Sequence, residues 1–190
     1  MSPMKKNQTD MLSNAALFGL FLALTSFLLQ LFYWVFDVNI YSIGMSLLNL
    51  VINFGILIFF YWLSNKTLRD KYLGGSLTYG QGFVNLLITG IVSVIIGSIL
   101  NYLLFKYIAP DYLPKMAEKV MAMLQSNPNV PEETIEKTQA QFALMTPEST
   151  IVKSLYFGLG SAVVFSLIVS AFTKKKPDIF AAEYTTEEEK

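Results

Sequence analysis

Long uncharged stretches alternate with short charged segments along the chain. Four intervals contain no Asp, Glu, Lys or Arg, and they lie between Asp10 and Asp37, Asp37 and Lys66, Lys71 and Lys106, and Lys153 and Lys174. About 20 helical residues cross a hydrocarbon core about 30 Å thick, and each interval is long enough to do so. A water-soluble helix would carry polar and charged side chains along one face, which these intervals lack. The pattern therefore predicts four transmembrane helices.

The same pattern gives approximate limits for the spans. We predict spans at about 15–36, 43–63, 82–105 and 154–173, in a single membrane domain over residues 1–177. The first apolar stretch is longer than the core of about 7–15 residues in a secretory signal, and no small-residue cleavage site follows it. We therefore expect it to be a retained span.

Local signals mark where several helices begin and end. Thr78 and Gln81 have the spacing of a capping box, in which each side chain bonds the other's backbone N–H. Thr146-Pro147 is typical of a helix start, because proline suits the first helical position. Gly74-Gly75 is predicted to end a water-facing extension of span two in the left-handed conformation.

The segment between spans three and four is predicted to form a helical hairpin at about 111–146. Asp111 is placed to cap its first helix, and Glu132 and Glu133 favour the start of the second through the helix dipole. Residues 178–190 are predicted to be an acidic flexible tail. The fold class is thus all-α: a polytopic membrane protein with a four-helix transmembrane bundle and an extramembrane helical hairpin.

Basic residues near the span ends predict the orientation. They precede span one, separate spans two and three, and follow span four, as Lys5, Lys6, Lys66, Arg69, Lys71 and Lys174–Lys176. The loop between spans one and two has no Lys or Arg, and residues 107–150 hold three Lys against six acids. The positive-inside rule then places both termini in the cytoplasm and the hairpin outside.

Composition excludes several classes of function. Net charge is zero, so no basic surface suggests a nucleic-acid partner. The chain has no Cys and no His, which removes thiolate chemistry and the commonest metal ligand and general base. Charged residues lie at or beyond the span ends, whereas proton relays and many coupled transporters place them inside. We predict no enzyme activity, no cofactor and no metal site.

Small residues recur at four-residue spacing along the spans. Such spacing lets helix backbones approach closely in lipid, where the hydrophobic effect does not drive helices together. The candidate packing positions are Gly90, Gly97, Gly158, Ala162 and Ser166. We expect most of them to pack within the chain, with a homo-oligomer interface as the alternative.

Four asparagines lie inside the predicted spans: Asn49, Asn53, Asn85 and Asn101. One hypothesis is that they line a polar path for a solute. The other is that they form hydrogen bonds between helices, each worth about 0.6 kcal/mol in a membrane protein. Interhelical bonding is the commoner role for Asn in a membrane.

Three short motifs resemble those of a known family. The first motif is the run Tyr72-Leu73-Gly74-Gly75-Ser76-Leu77-Thr78-Tyr79-Gly80-Gln81-Gly82-Phe83. It is followed by Tyr107-Ile108-Ala109-Pro110-Asp111-Tyr112 and by Lys174-Lys175-Lys176-Pro177. Together they resemble a bacterial family of four-span membrane proteins with a domain of unknown function. The resemblance covers about residues 10–177, and Gly82 departs from the Ala of that pattern. It implies a bacterial inner membrane and the topology described above, and it transfers no catalytic or binding residue.

Two functional hypotheses follow. The first is a non-enzymatic accessory or scaffold protein whose partners are the lipid bilayer and a membrane protein or a second copy of the chain. The second is a small channel or transporter for a neutral or amphipathic solute. We prefer the first, because ion-coupled transport normally needs buried ionisable groups and no inverted repeat is evident in the sequence.

Overall fold

The computed structural model describes residues 3–176, with side chains from residue 8 onward, and this part of the chain is all-α. Six α-helices occur in the described range: α1 (Pro3–Val35), α2 (Ile43–Thr67), α3 (Tyr79–Leu103), α4 (Tyr112–Ser126), α5 (Glu132–Ala143) and α6 (Pro147–Thr173). The predicted acidic tail, 178–190, lies outside the described residues.

Four helical segments are long and apolar enough to cross a membrane, as the charge pattern predicts. They are Gln8–Val35, Ile43–Tyr72, Tyr79–Ile108 and Pro147–Thr173. Each is longer than the corresponding predicted span, because the helices continue past their apolar cores into polar turns. The chain is therefore a multi-pass membrane protein with additional helices between the third and fourth spans.

Two of these segments end in a π-helical turn. The π turn Leu68–Tyr72 follows α2, and the π turn Leu104–Ile108 follows α3. Both begin at a fully buried leucine whose carbonyl accepts the backbone N–H five residues on, from Leu73 at 3.1 Å and from Ala109 at 2.7 Å. Neither turn has a signal in composition, and neither was predicted.

The α2 and α3 segments have the same length and share a few residues at one offset. Both have 30 residues, and both their first residues (Ile43, Tyr79) and their last residues (Tyr72, Ile108) are 36 positions apart. At this offset the pairs Asn49/Asn85, Leu50/Leu86, Asn65/Asn101 and Leu68/Leu104 are identical. The other positions of the two segments are mostly apolar, as any span requires, so these matches alone do not make the segments a repeat.

The predicted helix ends can be compared with the hydrogen bonds. Gln81 N donates to Thr78 Oγ1 (3.3 Å) and Thr78 N donates to Gln81 Oε1 (3.0 Å), which confirms the capping box. Ser149 N donates to Thr146 Oγ1 at 3.1 Å, which confirms that helix start.

Asp111 precedes α4 but makes no capping bond, because its carboxylate pairs with Lys115 at 2.6 Å. Gly74 and Gly75 have φ of +62° and +87°, as a left-handed helix end requires.

Contacts divide the chain into two units. Unit 1 contains Met1–Phe21, Ile58–Ser93 and Leu159–Lys190, and unit 2 contains Leu22–Leu57 and Val94–Gly158. The α2 segment runs from unit 2 into unit 1, whereas the α3 segment runs from unit 1 into unit 2. The two segments therefore run in opposite directions, as consecutive membrane spans do.

Each unit has its own core. In unit 1 the loop before α3 is tied to the end of α6, since Leu77 and Lys175 exchange backbone hydrogen bonds of 2.8 and 2.9 Å. In unit 2 a buried apolar cluster joins the second π turn to the start of α4, through Leu104, Phe105, Ala109 and Leu113. Helix α4 also contacts α5, so the two helices predicted between spans three and four are neighbours.

Candidate functional site

A cluster of polar side chains is buried in unit 1, and we call it the amide network. Its members are Asn14, Ser64, Asn65, Asn85, Thr89 and Thr173, all 9% exposed or less. Asn85 lies at its centre, with Nδ2 donating to Ser64 Oγ (2.9 Å) and to Asn65 Oδ1 (2.9 Å). Asn85 Oδ1 accepts a bond from Asn14 Nδ2 at 3.1 Å. The network thus joins α1, α2 and α3.

The network also reaches α6. Asn65 Nδ2 donates to Thr173 Oγ1 at 2.7 Å, and Thr173 in turn donates to the carbonyl of Val169. Every side chain of the network has at least one protein partner, and such satisfied buried groups fix helix positions instead of awaiting a ligand. Asn85 therefore has the interhelical role expected for Asn in a membrane.

Three of the predicted packing positions meet in unit 1. A Cβ added to Gly90 would lie 2.6 Å from Ala162 Cβ and would collide with the Tyr61 hydroxyl. Ala162 is 3% exposed and Ser166 is fully buried. Here small residues allow α3 and α6 to approach more closely than larger side chains permit.

The other two packing positions lie in unit 2 and differ from each other. A Cβ added to Gly158 would lie 2.9 Å from Val94 Cγ2, so this glycine also permits a close approach. A Cβ added to Gly97 would meet no heavy atom within 4 Å. Among the described residues, no side chain therefore packs closely over Gly97, in contrast to Gly90 and Gly158.

Unit 2 contains a cavity of about 300 Å³, which we call the unit 2 cavity. Its apolar lining comes from Leu29, Ile40, Phe105, Leu113 and Met116. Its polar lining comes from Ser26, Gln30, Tyr33, Asn49, Asn53, Tyr112 and Thr150. None of these residues carries a formal charge at neutral pH. Its chemistry is that of a site for a neutral ligand with both apolar and hydrogen-bonding parts.

Several polar groups of this cavity have spare hydrogen-bonding capacity. Asn53 Nδ2 donates to Asn49 Oδ1 at 2.7 Å and to the Asn49 carbonyl at 2.8 Å, so these two amides pair along one helix. Thr150 Oγ1 is buried without a protein partner. That atom is closed to solvent and therefore to a ligand in the cavity. The Asn49–Asn53 pair leaves Asn49 Nδ2 and Asn53 Oδ1 to bond a ligand.

Tyr112 lines the unit 2 cavity and also bonds Gln30 of α1. Burial raises the pKa of the Tyr112 phenol, and a hydrogen bond with Gln30 partly opposes that rise. The phenol therefore stays protonated at neutral pH. It presents the cavity with an uncharged hydroxyl.

An ion pair lies beside a small pocket that shares Tyr33 and Tyr112 with the unit 2 cavity. Lys119 Nζ on α4 lies 2.6 Å from Asp37 Oδ1, in the turn after α1. The hydrogen bond with Lys119 is the main cause of the lowered pKa of the Asp37 carboxyl. Asp37 also has φ of +48°, so this turn is held in the left-handed region at a non-glycine residue. The pair fixes α4 against the start of the α1–α2 loop.

The structure does not bring the four predicted asparagines together. Asn49 and Asn53 line the unit 2 cavity, whereas Asn85 belongs to the amide network of unit 1. Asn101 lies in unit 2, but it donates to the Gly97 carbonyl of its own helix and does not line the cavity. Sequence reasoning did not select Thr150, Tyr112 or Asn65, because a polar residue near a helix end resembles an ordinary solvated position.

Comparisons with known proteins identify one family. A family model described as “Protein of unknown function (DUF4199)” matches residues 17–175. No curated protein matches significantly, and no solved structure does.

Proposed function

The chain belongs to the DUF4199 family, and since that description assigns no activity, we propose a function from the unit 2 cavity. The protein is a non-enzymatic membrane protein that binds and moves a neutral amphipathic solute. The observation that carries this proposal is a cavity lined both by apolar side chains and by uncharged hydrogen-bonding groups, among them the Asn49 and Asn53 amides.

The lining selects a neutral solute. A charged ligand would lose its hydration and find no opposite charge among the lining residues, a cost of several kcal/mol. The amides of Asn49, Asn53 and Gln30 instead offer donors and acceptors to hydroxyl or carbonyl groups. Leu29, Phe105 and Met116 offer an apolar wall for a hydrocarbon part. A neutral lipid-like molecule with a hydroxyl-bearing head, such as a monoacylglycerol, matches both.

The same lining argues against catalysis. It includes no carboxylate, lysine or arginine, and the chain has no His or Cys to act as base or nucleophile. The phenols of Tyr33 and Tyr112 are its only titratable groups, and burial makes Tyr112 a weaker acid still.

The scaffold hypothesis loses most of the feature that suggested it. Gly90, Gly158, Ala162 and Ser166 are used inside the chain, and Gly97 is the one packing candidate that stays open to a partner. A binding or transport role is therefore preferred over the accessory role that the small-residue spacing suggested.

For the location we propose the inner membrane of a bacterium, with both termini cytoplasmic. The support is the distribution of charge: Lys66, Arg69 and Lys71 lie on one side of the membrane with Lys174–Lys176, and the α4–α5 segment is net acidic. This orientation puts the unit 2 cavity toward the outer leaflet.

Photoaffinity labelling tests this function. A monoacylglycerol that carries a diazirine next to its head group is irradiated with the purified protein in nanodiscs, and the labelled peptides are mapped. We expect labels on the residues that line the unit 2 cavity, competition by unlabelled monoolein, and no competition by oleate. Asn53→Leu should reduce the labelling, while Asn129→Leu, an exposed Asn in the α4–α5 turn, should not. Labels spread over lipid-facing residues and unaffected by Asn53→Leu would overturn the proposal.

A further inference from the structure

Unit 1 contains a cavity of about 390 Å³, which we call the basic cavity. It lies between the loop that leads into α3 and the segment that follows α6. Its lining consists of Ser76, Leu77, Thr78 and Tyr79 on one side and Lys174, Lys175 and Lys176 on the other. All three lysines are exposed, and the described lining includes no acidic residue.

Two backbone hydrogen bonds hold the sides of the basic cavity together. Leu77 N donates to the Lys175 carbonyl at 2.8 Å, and Lys175 N donates to the Leu77 carbonyl at 2.9 Å. The Leu77 side chain is 1% exposed, so it anchors the loop in the core of unit 1. The lysine side chains therefore extend from a backbone that is fixed in place.

The charge around this cavity is strongly positive. Among the described side chains of unit 1, six are basic and two are acidic, namely Lys66, Arg69, Lys71 and Lys174–Lys176 against Asp10 and Asp70. Asp70 pairs with Arg69 at 2.7 Å and also lies within electrostatic reach of Lys175. Over the described residues, no carboxylate forms an ion pair with any of the three cavity lysines.

The positive-inside rule accounts for basic residues near this end of the spans, but not for their arrangement. Lysines that only keep a loop in the cytoplasm need neither a cavity nor a fixed backbone. Here a hydroxyl is also placed beside them. Ser76 Oγ lines the cavity and makes only a long bond, 3.4 Å to the Leu73 carbonyl, so it can donate to a stronger acceptor. Ammonium and hydroxyl donors together suit a phosphate group.

The surface next to the basic cavity is apolar and exposed. Phe172 is 85% exposed and Ile168, one turn before it on α6, is 48% exposed. On α2, Trp62 is 45% exposed and Lys66 Nζ lies 4.9 Å from the centre of its ring, an arrangement typical of the membrane surface. A phospholipid can therefore place acyl chains along α6 and its head group in the cavity, whereas a small soluble anion would use the lysines alone.

We propose that the basic cavity binds the phosphate group of an anionic phospholipid, with Lys174, Lys175 and Lys176 supplying the positive charge. Basic pockets beside membrane helices suit such head groups, because each basic residue near the surface adds to the attraction. Ser76 donates a hydrogen bond to a phosphate oxygen. Tyr79 begins α3 and lines the cavity, so the positive end of the α3 dipole adds to the same attraction. This site does not depend on the neutral solute proposed for the unit 2 cavity.

Native mass spectrometry of the purified, delipidated protein in detergent tests the site. Phosphatidylglycerol and phosphatidylcholine with identical acyl chains are titrated separately, and the bound lipids are counted. We expect the first phosphatidylglycerol to bind roughly tenfold more tightly than phosphatidylcholine, or better. Lys174→Gln/Lys175→Gln/Lys176→Gln should remove this preference. A wild-type protein without the preference would overturn the proposal.

A matched variant controls for total charge. Lys115→Gln/Lys137→Gln/Lys153→Gln removes three exposed lysines from unit 2 and should keep the preference for phosphatidylglycerol. If the two glutamine variants lose the preference equally, or both keep it, the lipid is attracted by overall charge or bound elsewhere, and the site is overturned.

The glutamine variant of the basic cavity should fold. Its three side chains are exposed, and the bonds between Leu77 and Lys175 involve backbone atoms only. Its thermal unfolding without lipid should therefore match that of the wild type. Lys174→Arg/Lys175→Arg/Lys176→Arg keeps the charge and should keep the preference, and its loss in this variant would count against the phosphate site.

Glycerol 3-phosphate distinguishes a lipid from a free phosphate. It offers a phosphate group without acyl chains, so it should not displace phosphatidylglycerol at the same concentration. Displacement at equal concentration would show that the cavity takes a soluble phosphate and would overturn the assignment to a lipid. Retention of phosphatidylglycerol supports it.

Discussion

The side-chain amide of Asn85 donates a hydrogen bond of 2.9 Å to Oδ1 of Asn65, and both residues are fully buried in unit 1. Replacing Asn85 by Leu removes this donor, removes the bond to Ser64 and takes away the acceptor for Asn14. Buried groups left without partners cost about 1–3 kcal/mol. We expect Asn85→Leu to lower the free energy of unfolding by that amount, measured by urea or SDS unfolding in mixed micelles.

The matched control is Asn49→Leu, the same substitution at an Asn that lies outside the amide network. Asn49 bonds only with Asn53 on its own helix, so its loss should change the free energy of unfolding by less than about 0.5 kcal/mol. Equal destabilisation by the two variants would contradict the claim that the bonds of the amide network stabilise unit 1.

A pair of glycine substitutions tests the close packing of unit 1. Gly90→Ala places a methyl group 2.6 Å from Ala162 Cβ, so α3 and α6 must separate, at a cost of about 1–3 kcal/mol. Gly97→Ala meets no atom within 4 Å and should be neutral or slightly stabilising, because Ala favours helix over Gly. Thermal unfolding in detergent measures both, and a destabilised Gly97→Ala would show that this face is packed.

Most of the fold was predictable from the sequence. The uncharged intervals predicted the spans, and local signals predicted helix ends, such as the caps at Thr78 and Thr146. Each depends on a side chain and a backbone N–H three residues away, so the sequence contains the whole interaction. Asp111 shows the limit, because its carboxylate had a competing partner in Lys115 one turn on. The π turns at Leu68 and Leu104 depend on tertiary packing and have no sequence signal.

The ion pair of Asp37 and Lys119 predicts a pH dependence. The hydrogen bond with Lys119 lowers the pKa of Asp37 in the folded state below its ordinary value of 3.8. The pair therefore contributes stability above that ordinary pKa, and the contribution is lost as the pH falls through the folded pKa. Asp37→Asn should lower the midpoint of thermal unfolding at pH 7, and the difference from wild type should shrink below about pH 4.

Asn is the appropriate replacement because it tolerates the left-handed φ of +48° at this position. A second variant, Lys119→Gln, should reproduce the effect of Asp37→Asn at pH 7. The ion-pair account fails if the difference between Asp37→Asn and wild type persists unchanged at pH 3.

The orientation in the membrane is testable in the cysteine-free chain. Asn129→Cys lies in the exposed α4–α5 turn, and Lys176→Cys lies just after α6. A membrane-impermeant maleimide applied to intact spheroplasts should label position 129, and position 176 should react only after lysis. The reverse pattern would place the unit 2 cavity toward the cytoplasm, and labelling of both would contradict the span assignment.

The candidate site was less predictable than the fold, and the asparagines show why. Asn49 and Asn85 both lie in nearly uniform apolar helices, yet one lines a cavity and the other is bonded in a buried core. In lipid both the packed and the lipid-facing sides of a helix are apolar, so periodicity does not indicate which side meets protein. Only the arrangement of the neighbouring helices distinguishes the two residues.

Equilibrium binding of monoolein to the protein in nanodiscs, measured by scintillation proximity, tests the central claim that the unit 2 cavity holds a neutral amphipathic solute. The account predicts saturable binding at one site, weakened about tenfold in Asn49→Leu/Asn53→Leu by the loss of hydrogen bonds worth about 1.4 kcal/mol, and unchanged in Asn129→Leu. Binding that does not saturate, or that is equal in wild type and the double variant, would contradict it.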